Sequence, residues 1–243
     1  MQHDFHYISK HSPEVREAYG SLMELLSEVH HELKQYTFQH KIVGSYSYNM
    51  ITYDAKSNIG FDFDVNIYPH DEDNVIKPKD LRKWLKAAID KCAQKYGFDF
   101  AEDSTRVLTI KVKDRKHSRI VYSVDFCIVN DYTDDDGDEH QKYVRFNKKH
   151  NSYEWDEQSD GYYMLPEKIE WLKDNGLWND AFRKLYIDKK NSNTDPYVHS
   201  RTVFANTVHE VCQKNGFFDG QNTFSSNDRS AKMPGSFLLP IWR

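Results

Sequence analysis

Two aspartates one residue apart, Asp62 and Asp64, lie in the alternating stretch FDFDVNI, and a third, Asp125, is the single acid of the apolar run RIVYSVDFCIV. On a strand, side chains alternate between faces, so the two acids share one face while Phe61, Phe63 and Val65 take the other. Like charges this close repel and raise each other's pKa unless a cation lies between them, so a divalent metal is the natural compensation. If the strands carrying the pair and Asp125 are neighbours in one sheet, the three carboxylates make an oxygen-only cluster suited to Mg²⁺ or Mn²⁺. Upstream, Gly44-Ser45 follows the apolar KIV. Glycine there lets a phosphate approach the backbone closely, and Ser45 offers an amide and a hydroxyl.

The elements that must position these residues are legible. Ser12-Pro13-Glu14 is a helix start, with a capping hydroxyl and proline at the first helical position, and that helix is expected to reach about Gln35. Phe38 to Val43 and Phe61 to Ile67 read as strands. Helical spacing of Leu81, Trp84, Leu85, Ala88, Ile89 and Cys92 predicts a helix from Pro78 to Tyr96 that ends at Gly97. Strands are expected over Arg106 to Lys113 and Arg119 to Val129, joined by the polar tip DRKHS, followed by an acidic loop from Asp131 to Glu139 and a short strand near Lys142 to Phe146. From Pro166 the signals are helical: LPEKIEWLKDNG, LWNDAFRKLYIDKK, and a third helix from Asp195-Pro196 to about Lys214. The polar stretch GQNTFSSNDRSAK reads as a loop. The fold class expected is α+β, a mixed sheet with flanking helices plus a C-terminal helical segment. Residues 1–150 would form the α/β catalytic domain, and residues 151–243 a helical segment completing the cleft.

The order apolar-Gly-Ser, Asp-x-Asp, later Asp resembles the DNA polymerase β-like nucleotidyltransferase superfamily. Val43-Gly44-Ser45, Asp62-Phe63-Asp64-Val65 and Val124-Asp125-Phe126 match its elements over about residues 38 to 130, with a loop after Ser45 somewhat longer than many members have. The resemblance implies two Mg²⁺ ions held by Asp62, Asp64 and Asp125, and a triphosphate cradled at Gly44 and Ser45. It further implies attack of an acceptor hydroxyl on the α-phosphate, with Asp125 nearest the acceptor. Lys148 and Lys149 in FNKKH, Arg201 and the Lys111 to Arg119 hairpin are candidates for triphosphate contacts, and Tyr162 and Tyr163 for base stacking.

Other readings fall away on register or composition. In DYTDDDGDEH, placing Gly137 at the sixth position of a calcium loop puts Tyr132 first and Tyr143 twelfth, so the main ligands are missing. The histidines form no His-Glu-x-x-His and the three cysteines no Cys-x-x-Cys, so no zinc is assigned. Ser45 lacks the Gly-x-Ser-x-Gly setting of a hydrolase nucleophile. With 243 residues, 38% hydrophobic and 29% charged, the chain can bury a sizeable core, and its net charge of -5 gives no general attraction to nucleic acid. A mean hydropathy of -0.84, and no apolar run near the ~18 residues a spanning helix needs, argue against a transmembrane segment, and no membrane is expected among the partners. The N-terminal MQHDFHYISK lacks the apolar core of a secretory signal, so the expected location is the cytoplasm.

The leading expectation is therefore a metal-dependent nucleotidyltransferase that moves a nucleoside monophosphate from an NTP to an acceptor hydroxyl and releases pyrophosphate. The acceptor is left open among a nucleotide, RNA, a protein and a small molecule. The alternative is a catalytically inactive nucleotidyltransferase-fold module that binds nucleotide or a partner, and a third reading takes the acids as structural.

Overall fold

Strand β4, Phe61–Pro69, is hydrogen-bonded on both sides and carries two kinds of side chain on two faces. A computed structural model describes residues 3–71, 75–158, 164–195 and 197–217. Tyr162 and Tyr163 lie outside the described residues, as does the C-terminal polar stretch. β4 pairs antiparallel with β2 (Phe38–Val43) and parallel with β7 (Arg119–Thr133). β7 in turn pairs antiparallel with β6 (Leu108–Asp114), and β6 with the short β5 (Glu102–Asp103). The far half of β7 leaves that ladder to pair with β8 (Glu139–Asn147), which carries β9 (Ser152–Glu157). A small separate ladder joins β1 (Phe5–Tyr7) to β3 (Thr52–Asp54). The result is a mixed sheet with flanking helices, as the strand and helix periodicities implied.

Helices α1 (Pro13–Glu32) and α3 (Pro78–Ala93) cover one face of the sheet. Ser12 caps α1 by accepting the Val15 N–H, as its sequence promised. Leu22, Leu25 and Leu26 of α1 and Leu81, Leu85 and Ile89 of α3 meet Phe63, Val65, Ile67, Val124, Phe126 and Ile128 in one core. The period-2 alternation of the strands thus sends Phe61, Phe63, Val65 and Ile67 of β4 and Val124, Phe126 and Ile128 of β7 under the helices, and Asp62, Asp64 and Asp125 to the opposite face.

The start of β4 is pinned by close approach to β7: a Cβ on Gly60 would stand 1.8 Å from the Val121 carbonyl oxygen. Arg82 of α3 has no exposed surface, and its guanidinium fans out to the opposite end of the sheet. Nε and Nη2 donate to Asp103 Oδ1 at 3.0 and 2.7 Å, Nη1 to the Arg106 carbonyl at 2.8 Å, and Nη2 to the Ser104 carbonyl at 2.8 Å.

The last part is helical, with α4 (Leu165–Asp174), a π-turn at Trp178–Phe182 running into α5 (Arg183–Ser192), and α6 (Ser200–Lys214). It has its own core, in which Phe182, Tyr186, Phe204 and Val208 pack with Met50 from the loop after β2. Polar ties fasten it to the sheet: Tyr7 donates to the Arg183 carbonyl at 2.8 Å, Arg183 Nη1 to the Asn49 carbonyl at 2.7 Å, and the Asn191 amide brackets the Phe5 backbone from both sides.

Several boundaries differ from expectation. α1 stops at Glu32 rather than near Gln35, with the Leu33 N–H closing on the Val29 carbonyl. α6 begins at Ser200, not at Asp195, because the Asn193 side chain bonds the carbonyls of Asp195 and Val198 and holds them in a turn. The acidic loop shrinks to 134–138, since Asn130 to Thr133 and Glu139 to Lys142 pair as strands. The short β1, β3, β5 and β9 gave no period in the sequence, being too brief to show one.

The end of α1 makes a pH prediction. The His30 ring stacks on Phe38 with centroids 3.8 Å apart, and burial first, then His40, His31 and His70, hold its pKa below the ordinary 6.5. Burial lowers the pKa of His40 as well. A group whose folded-state pKa is depressed contributes fully above its unfolded pKa, and the contribution is lost as pH falls through the folded one. The urea midpoint is therefore expected to fall on going from pH about 7.5 to about 5, and His30→Phe to flatten that slope. An unchanged slope in the variant would place the acid sensitivity elsewhere.

Candidate active site

On the face of the sheet turned away from α1 and α3, the register brings the predicted acids together. Asp64 of β4 and Asp125 of β7 are direct partners across the parallel pair, and Asp62 stands two residues back along β4, opposite Ser123. Backbones of neighbouring strands lie about 5 Å apart and same-face residues roughly 7 Å apart along a strand, so all three carboxylates issue from one small area. Asp64 and Asp125 are 7% and 3% exposed, whereas Asp62 is half-buried. Two neighbouring carboxylates taken out of water require nearby positive charge or hydrogen-bond donors. Thr109 of β6, the register partner of Asp125, donates its hydroxyl to Asp125 Oδ1.

Gly44 is fitted to the same place. It follows Val43, the partner of Asp64, and opens a one-turn helix, α2 (Gly44–Ser47). Its φ is +66°, and a Cβ there would stand 2.1 Å from Asp64 Oδ2. Glycine is thus demanded twice, by the backbone and by the carboxylate beside it. Ser45 sits in that turn, its carbonyl accepting the Met50 N–H at 2.8 Å.

The donor set suits a hard divalent cation, being carboxylates on rigid strands with glycine backbone beside them. Among the described residues no three His, Cys, Asp or Glu side chains are gathered into a cation cage, so what unites the acids is backbone register rather than side-chain closure.

The chain's basic candidates fall in different places. Lys148 and Lys149 are exposed at the turn between β8 and β9, and the Lys111 to Arg119 segment is the β6–β7 hairpin. Arg201 stands in the first turn of α6, next to Ser200, which lines a cavity of about 490 Å³ shared with His3, Phe5, Asn193, His199 and Lys190.

Lys190 was missed in the sequence, where DKK at the end of a helix reads as a solvated charge run. Its ammonium is folded back to donate to Thr52 Oγ1 at 2.7 Å and lies 4.2 Å from the centre of the Phe5 ring. Burial lowers its pKa to about 8, against the pull of Asp62 and Asp54, which raise it. A lysine from the helical segment therefore stands between the acid face and the cavity.

The same sheet face continues past the acids into a second polar group. One step on from Asp64 and Asp125, Asn66 partners Cys127. Beyond them Cys127, Val129, Val107 and Tyr143 form a small apolar cluster with Tyr68 against it. Four buried polar atoms lie around it without a hydrogen-bond partner: Asn66 Oδ1, Gln141 Oε1, Gln158 Nε2 and Arg106 Nε. Each such atom costs about 1–3 kcal/mol if left unserved.

No family model matches the sequence, and no curated protein matches it. Solved structures do. A STING-associated CdnE c-di-GMP synthase from Capnocytophaga granulosa is 16% identical and superposes with a TM-score of 0.53 over 84% of this chain and 62% of its own. A CdnE cyclic dinucleotide synthase of Elizabethkingia meningoseptica (13% identity, TM-score 0.42, 86% and 82% covered) and Vibrio cholerae DncV in its GTP-bound form (18%, 0.45, 73% and 44%) are also similar. The chain spans somewhat under two thirds of the length of the Capnocytophaga protein. Its mixed sheet with flanking helices, matched over most of its length to that synthase, is a nucleotidyltransferase fold.

Proposed function

We propose that the chain is a metal-dependent nucleotidyltransferase that moves a nucleoside monophosphate from an NTP to an acceptor hydroxyl and releases pyrophosphate. The observation that carries this reading is the register pair Asp64–Asp125, with Asp62 on the same face and Gly44 lacking the Cβ that would collide with Asp64. Mg²⁺ or Mn²⁺ held by Asp62, Asp64 and Asp125 would supply positive charge to the triphosphate and to the attacking oxygen. The chain's own residues do the rest. The turn at Gly44 and Ser45 presents backbone at a distance only glycine permits, so phosphate oxygens can come close. Lys190, from one side, and Arg201, from the start of α6, bring cationic donors toward polyphosphate bound over α2 and the cavity. Thr109 donates its hydroxyl to Asp125 and so fixes the rotamer of the carboxylate that would take up the proton of the acceptor hydroxyl.

Incubation of the protein with Mg²⁺ or Mn²⁺ and each α-labelled NTP is expected to release pyrophosphate and yield a labelled product, and an Asp62→Ala/Asp64→Ala variant to yield neither. The size of the product assigns the acceptor class. Nucleotide binding without release, equal in protein and variant and with every acceptor class supplied, would instead support a binding module.

A further inference from the structure

Lys190 brings a positive charge to the cavity, and the short β1–β3 ladder decides where that charge stands. We infer that Phe5 and Thr52 are positioning residues for Lys190: they hold its ammonium in the cavity wall, over one ring and on one hydroxyl, with its remaining donors open to a polyphosphate. The word polyphosphate rests on the nucleotidyl-transfer reading; the positioning rests on the ladder itself.

Register gives the ladder two distinct faces. Phe5 pairs with Asp54 and Tyr7 with Thr52, so these four share one face, while His6 and Tyr53 share the other with ring centroids 5.7 Å apart. The first face meets α5. Arg183 lies 4.3 Å from the centre of the Tyr7 ring, and Lys190 lies 4.2 Å from that of Phe5. Positions 183 and 190 are about two turns apart on α5, so both cations issue from one side of the helix. A cation over an aromatic face is attracted by the ring quadrupole, which fixes the side chain against that ring.

The cations of α5 are not equally served. Arg183 donates to the Asn49 carbonyl at 2.7 Å and so ties helix to sheet, and Lys189 turns away to pair with Glu210. Lys190 makes one hydrogen bond, to Thr52 Oγ1 at 2.7 Å, and no ion pair among the described residues, although an ammonium has three N–H donors. A cation partly withdrawn from water without a counter-ion favours an anion beside it.

The surroundings give that anion room. Phe5 and Lys190 line the cavity of about 490 Å³ with His3, His199 and Ser200, and α6 opens at its edge with no side-chain cap on its first N–H groups. Phe5 is itself held. Asn191, next in the chain to Lys190, bonds the Phe5 N–H and carbonyl, and the His3 ring stacks on Phe5 with centroids 5.1 Å apart. Ring and ammonium therefore keep a fixed relation, and a polyphosphate meets a cation already in place rather than a long side chain that must first be ordered.

The test measures binding of inorganic tripolyphosphate to the full chain by calorimetry, with phenylalanine or its mono-, di- or trifluorinated analogue at position 5, a series that weakens the negative ring face at nearly constant shape. Affinity is expected to fall with each fluorine, by about three- to tenfold at the end of the series, with the melting temperature unchanged. Thr52→Val is expected to weaken binding as well, and Lys190→Gln to weaken it most. With NTP, the KM is expected to rise along the series while kcat holds, the mark of lost uniform binding. A purely structural ring would leave the series flat. No tripolyphosphate binding, binding untouched by Lys190→Gln, or a flat series overturns the inference. Pyrophosphate release measured on the same samples separates the two ideas. Transfer with a flat series sinks the positioning role alone, while fluorine-sensitive binding without release from any NTP keeps that role and sinks the nucleotidyltransferase.

Discussion

Asp125→Asn is expected to lower NTP-dependent pyrophosphate release by on the order of a thousandfold or more while leaving the fold intact. The activity loss follows from removing a negative charge and a proton acceptor from the face where charge develops, a type of change that costs about two to three orders of magnitude elsewhere. Retention of the fold follows from three local facts. Asparagine has the same shape, its amide oxygen still accepts the Thr109 hydroxyl, and a neutral group beside Asp64 relieves the repulsion between two buried carboxylates. The melting temperature should therefore equal or exceed that of the parent. Gly44→Ala should reach a similar loss of turnover by another route, since its Cβ would drive into Asp64 Oδ2 and its φ of +66° disfavours any side chain. Full activity in Asp125→Asn would end the catalytic reading of the sheet face. Loss of both activity and folding would make Asp125 structural.

The second large effect is on stability. Arg82→Ala is expected to cost about 3–5 kcal/mol, because it strands Asp103 and the carbonyls of Ser104, Arg106 and Val144 without their buried donor. For a chain of this size that corresponds to a fall in Tm on the order of 10 °C. Arg82→Lys should recover only part of it, since an ammonium cannot serve Asp103 and three carbonyls set around a planar fork. The Tyr153 hydroxyl also donates to Asp103 at 2.9 Å, so Tyr153→Phe should act in the same direction with a smaller effect. A drop of only a degree or two in Arg82→Ala would show that water replaces the guanidinium there. The network also holds the segment that carries Arg106, so a milder variant at Arg82 is a route by which stability and the polar patch beyond the acids can be compared.

What the sequence by itself determined was whatever repeats over short distances. FDFDVNI assigned Phe61, Phe63, Val65 and Ile67 to the core and Asp62 and Asp64 to the other face, because a strand has period two whatever it pairs with. Ser12-Pro13 and the leucine spacing fixed α1 and α3 in the same local way, and an isolated acid in an apolar strand marked Asp125. Only the tertiary structure decided that β4 and β7 are parallel neighbours in the register that sets Asp64 opposite Asp125. The chain between them, with α3, β5 and β6, allows many registers, and a slip of one residue would turn Asp125 into the core. Lys190 was invisible for the same reason: its sequence setting is an exposed helix end, and only the packing of α5 against β1 and β3 buries its ammonium on Phe5 and Thr52 beside Asp62. Asn66, Gln141, Gln158 and Arg106 come from four separate stretches, so their convergence over one apolar patch is a property of sheet pairing and of nothing shorter in range.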